Sequence, residues 1–142
     1  MSVQGITGNV RTALATQVTS GGVSCLEYDE WDVPSGSIAT VGLVEWEIDE
    51  QRDQSYGIRA LTASVIVYQL VDGSIRDSLA YHEANVERAI DGLGASRTLG
   101  GAVAHSEVVE ATPQIVFRNT GGQAMVTAAI KVRVMPFPNV GS

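Results

Sequence analysis

Apolar residues recur at helical spacing over residues 6–20, where Ile6, Val10, Ala13, Leu14 and Val18 share one face. Thr7 stands where a cap would begin this helix, and Gly21-Gly22 end it. Residues 23–28 read as a short strand, followed by an acidic, turn-rich stretch through Pro34. From 38 to 48 the pattern changes to alternation, which predicts a strand with Ile38, Thr40, Gly42, Val44, Trp46 and Ile48 on one side and Glu45 and Glu47 on the other. The wholly polar run from Asp49 to Ser55 is too short for an interdomain linker and suits a generous hairpin loop. Residues 56–70, rich in β-branched and aromatic side chains, predict the longest early strand, stopped by Asp72-Gly73.

Ser74, with Asp77 three positions later, opens a second helix in the manner of a capping box. Its apolar stripe is Ile75, Leu79, His82, Val86, Ile90 and Leu93, and Gly92 and Gly94 close it. Residues 103–111 alternate again, Pro113 interrupts, and Ile115-Val116-Phe117 runs into a glycine-containing loop at 118–122. Residues 124–135 complete the sheet, and Pro136 and Pro138 leave 137–142 as an extended arm. The expected order is helix, three strands, helix, two strands: an α+β fold with a largely antiparallel sheet of four or five strands and both helices on one face. Strand 124–135 carries small or apolar residues on both sides, so the second face of the sheet is expected to need a partner.

Length and charge narrow the picture. With 142 residues the chain is read as one domain, and its formal net charge of -7 argues against holding nucleic acid through phosphate neutralisation. No basic run followed by an apolar block opens the chain, and no stretch reaches the roughly 20 apolar residues of a membrane span, so a soluble protein made in a cytoplasm is expected. Only 18% of residues are charged, and mean hydropathy is +0.10. That is greasy for a free monomer, and burial between subunits would accommodate it.

Candidate chemistry is sparse. His82 falls on an apolar helical stripe, where a hydrogen-bonded structural histidine is the ordinary occupant. His105 alternates with Glu107, which suggests a metal ligand, but two histidines and one cysteine leave zinc dependent on scattered carboxylates. The acidic run Glu27, Asp29, Glu30 and Asp32 lacks EF-hand spacing, and the glycine doublets belong to no phosphate-cradling motif. Cys25 reads as a buried structural thiol. No catalytic residue, metal or cofactor is expected; His82, His105 and Glu107 are the polar cluster an enzyme or ligand-binding module would have to use.

The string Ser96-Arg97-Thr98-Leu99-Gly100-Gly101, followed by Val103 and then Glu107-Val108-Val109-Glu110, resembles the tail terminator (tail completion) proteins of siphophages. Val10-Arg11-Thr12-Ala13-Leu14 in the first helix, the turn through Pro34 and the closing Ala129-Ile130-Lys131-Val132-Arg133-Val134 are similar to that family as well. The likeness extends over nearly the whole chain as a pattern, although Pro34 stands apart from Ile38 where the family places a proline at the strand start.

The resemblance implies a homohexameric ring in the virion, assembled in the host cytoplasm, that caps the head-proximal end of the tail tube. It implies the tube protein and a head-completion or stopper protein as partners, with genomic DNA passing through the channel without specific binding. On length and polarity the loop containing Asp49, Glu50, Gln51, Arg52, Asp53 and Gln54 is expected to reach the tube or the lumen. Arg118, Asn119 and Phe137 are the other candidate interface residues. The alternatives are another neck or tail ring, such as a stopper or tube subunit, and a small enzyme or binding module.

Overall fold

A computed structural model describes residues 3–28, 37–50, 56–118 and 121–136. In chain order these form α1 (Val3–Ser20), β1 (Cys25–Leu26), β2 (Ser37–Glu50), β3 (Tyr56–Leu70), α2 (Ile75–Gly94), β4 (His105–Ala111), β5 (Ile115–Arg118) and β6 (Ala124–Met135). The fold is α+β with a mixed six-stranded sheet, ordered β1-β2-β3-β6-β4, with β5 also beside β6.

Three expectations about the sheet are corrected. The first strand is only two residues long and runs parallel to β2, pairing Cys25 with Ala39 and Leu26 with Thr40, so the sheet is not wholly antiparallel. The stretch 115–118 is a strand in its own right, which makes three strands after α2 rather than two. Pro113, which has no N–H to give a ladder, splits the edge into β4 and β5, and the two lie end to end along β6. The side assignment along β2 also fails, because register shifts at Val41/Val44 and Glu47/Ile48 rotate the pleat. Ala39 and Val41 enter the core before the first shift and Val44 packs against it after, while Thr40 faces away.

Both helices cover the face built from Ala39, Val41, Leu61, Ala63, Val65, Val67, Ile130, Val132 and Val134. From α1, Val10, Leu14 and Val18 are buried against it as their spacing predicts. Thr7 does not cap this helix, which begins four residues earlier at Val3; its hydroxyl instead accepts the indole N–H of Trp46 at 3.1 Å.

The start of α2 agrees with the sequence: Ser74 is the N-cap and its Oγ accepts the Asp77 N–H at 3.3 Å. Its buried face is turned toward smaller residues than the stripe suggested, namely Ser78, His82, Asn85, Ala89, Gly92 and Leu93, whereas Ile75 is exposed. The cause is helix contact. A Cβ on Gly92 would lie 2.6 Å from the Gln17 carbonyl oxygen, and one on Gly21 would lie 2.5 Å from that of Arg88. The end of α1 and the last turns of α2 therefore touch backbone to backbone.

After α2 the chain turns through Leu99, Gly100 and Gly101, all at positive φ. Leu99 tolerates that conformation because its side chain is buried in the core. Val103, expected at the start of a strand, is a buried turn residue, and β4 starts two residues later.

Candidate functional site

Pairing between β2 and β3 continues as far as Glu50 with Tyr56, whereas β6 leaves β3 after Leu61 pairs with Val134. Residues 56–60 of β3 and their partners in β2 thus form a two-stranded ribbon beyond the body of the sheet. At about 3.4 Å per residue it extends roughly 17 Å. Its base is fixed by Glu47, whose Oε2 lies 2.8 Å from Arg133 Nη2 and 3.7 Å from Arg59 Nη2. The hydrogen bond from Arg133 holds the Glu47 carboxyl below the usual carboxylate range. Leading into the ribbon, β2 exposes Leu43 (86%), Trp46 (49%) and Ile48 (56%).

The sheet face away from the helices divides in two. Toward the ribbon it is polar, with Glu45, Thr62, Arg133 and Glu107 in one cross-strand row and Ser64, Lys131 and Glu110 in the next. Lys131 Nζ lies 3.6 Å from Glu110 Oε2. Toward the other end it is apolar, through Ile66, Tyr68, Leu70, Met125, Phe117 and Ile115. Within this half Tyr68 and Met125 are buried, while Ile115 is exposed.

His82 lies on the opposite side of the sheet, fully buried between α2 and β3. Its Nε2–H donates to the Val67 carbonyl at 2.9 Å, and Nδ1 accepts from Gln114 Nε2 at 2.8 Å. The same Gln114 amide also donates to the Leu79 carbonyl at 3.2 Å, tying the β4–β5 junction to α2. Burial lowers the His82 pKa, so the ring is neutral, with both nitrogens satisfied within the fold. His105 and Glu107 sit on the second face, so the three members of the candidate polar cluster are divided by the sheet.

Among the described residues no group of three or more histidine, cysteine, aspartate or glutamate side chains is placed to hold a metal ion. The groove between α1 and the turn at Leu99 is lined by Asn9, Thr12, Thr16 and Gln17, without a titratable side chain. Cys25 is half-buried, and burial pushes its thiol up to about 12. No described helix is long and apolar enough to cross a membrane.

Of the interface residues expected from sequence, the three that are described lie in two places apart. Asp49 and Glu50 end β2 in the ribbon. Arg118 ends β5 at the far end of the sheet, where its Nη1 donates to the Gly122 carbonyl at 2.9 Å and closes its own turn. Gln51, Arg52, Asp53, Gln54, Asn119 and Phe137 lie outside the described residues, as does the arm at 137–142. Sequence reasoning missed Leu43, Trp46 and Ile48 as surface residues, because alternation alone placed Trp46 and Ile48 on a buried side. It also missed Gln114, whose partner lies 32 positions away. No protein-family model matches the chain, and no curated protein matches it.

Proposed function

We propose that this chain is a structural ring subunit of a long-tailed bacteriophage: the tail terminator, which caps the head-proximal end of the tail tube, stops tube growth and joins the tail to head-completion proteins. The observation that carries this reading is the β2–β3 ribbon. A two-stranded ribbon alone is at best marginally stable in water, and the β2 strand leading into this one exposes three large apolar side chains. A neighbouring subunit supplies the missing packing. When that neighbour is a copy of the same chain met through a different surface, the contact is heterologous, and it closes into a ring where the rotation between copies brings the last back to the first.

The charge of -7 suits a lumen through which DNA slides without being retained. The string from Ser96 to Gly101 and the strand after it add the resemblance to tail terminators. The test is the mass of the purified protein in solution, with and without tail tubes. A discrete hexamer that caps tubes is expected. A filament that lengthens with concentration identifies a tube subunit instead, and a monomer that leaves tubes uncapped refutes the proposal.

A further inference from the structure

We infer that the outer edge of β2, from Gly42 to Glu50, is a docking edge for an extended segment of a partner protein in which apolar residues alternate with lysine or arginine. Edge strands present unpaired backbone N–H and C=O groups, and folded proteins usually blunt them with bulges, prolines or covering loops. The opposite edge of this sheet is blunted in all three ways. β4 shifts register between Val108 and Glu110, Pro113 interrupts it, and the Ser106 N–H is taken by the Arg97 carbonyl at 2.6 Å.

The β2 edge shares only the first of these devices, with register shifts at Val41/Val44 and Glu47/Ile48. β1 lies beside it only at Ala39 and Thr40, and the guanidinium of Arg11 takes the Val41 carbonyl at 2.9 Å. Among the described residues no strand flanks the outer side of β2 beyond that point. The segment contains no proline, and the register shift at Val41/Val44 leaves Leu43 86% exposed.

Charge decides what fits there. Residues 42–50 include Glu45, Glu47, Asp49 and Glu50 and no lysine or arginine. Arg133 and Arg59 answer Glu47, but among the described residues Glu45 has no ion pair. A strand of a second copy is a poor occupant of this edge: β2 against β2 brings Glu45 and Glu47 against their own counterparts, and β4 brings Glu107 and Glu110. A foreign strand that brings lysine or arginine to the exposed Glu45 satisfies the backbone and meets that carboxylate.

The probe is a nine-residue peptide of alternating valine and lysine, compared with its valine–glutamate counterpart, on the full chain. The lysine peptide is expected to slow amide exchange within residues 42–50 and to bind at least tenfold more tightly than the glutamate peptide. The exposed Glu45→Lys substitution should narrow that preference severalfold while leaving the fold intact. Equal binding of the two peptides, no protection over 42–50, or self-association that protects these amides without peptide overturns the inference. It rests on the reading of the ribbon as a contact element but not on ring closure. A ring that ignores the lysine peptide refutes the docking edge alone, and a monomer that binds it supports the edge while refuting the ring.

Discussion

Gly92 sets two physical effects against each other, and the structure says which prevails. It lies in the last turns of α2, where alanine is favoured over glycine by about 1 kcal/mol on helix propensity alone. Gly92→Ala should therefore stabilise an isolated helix. In this fold the added Cβ would sit 2.6 Å from the Gln17 carbonyl oxygen and 3.1 Å from the Gly21 Cα. Both are backbone atoms of the end of α1 and the turn that follows it, so no rotamer change relieves the overlap and the helices must separate.

Overpacking of this kind costs about 1–3 kcal/mol. A backbone clash belongs near the top of that range, which leaves a net loss of about 1–2 kcal/mol after the propensity gain. Gly8→Ala is the internal control: it is also helical, but nothing lies within 4 Å of its Cβ, so it should gain about 0.5–1 kcal/mol. Urea unfolding of both variants and the parent, at one protein concentration, should move the midpoint down for Gly92→Ala and up for Gly8→Ala with unchanged slope. Gly92→Ala at or above the parent's stability would refute the close helix contact.

Three further outcomes follow from His82, Cys25 and Ser74. Because the folded His82 pKa is depressed, the unfolded chain holds more protons below about 6.5. Its contribution is complete above that pH and is lost as pH falls toward the folded value, with a slope of up to about 1.4 kcal/mol per pH unit. Urea titrations between neutrality and about pH 5 should show that slope reduced in His82→Leu relative to the parent, and identical slopes would contradict the assignment. The Cys25 thiol, raised by burial, should alkylate on the order of a thousandfold more slowly in the native protein than in denaturant at mildly alkaline pH, as read by mass spectrometry. Ser74→Ala should lower stability by about 1 kcal/mol in thermal or urea unfolding, through loss of the bond to the Asp77 amide.

What the chain announces by itself is what depends on near neighbours. The α1 stripe of Val10, Leu14 and Val18, the capped start of α2 at Ser74, and the bounds of β3 and β6 are all set by periodicity and local side-chain chemistry. Even the structural role of His82 was legible, since its place on an apolar stripe requires partners, although which partners was not.

Tertiary structure alone decided the rest. A register shift in β2 depends on where β3 pairs, so the exposure of Leu43 could not be read from alternation. The direction of β1 depends on how α1 returns the chain beside Ala39. The close approach of Gly21 and Gly92 joins residues 71 positions apart, and two glycines that look like helix stops prove to be the contact between helices. The ribbon exists only because β6 ends where β2 and β3 continue, a difference in strand length that acquires meaning once the three strands lie side by side.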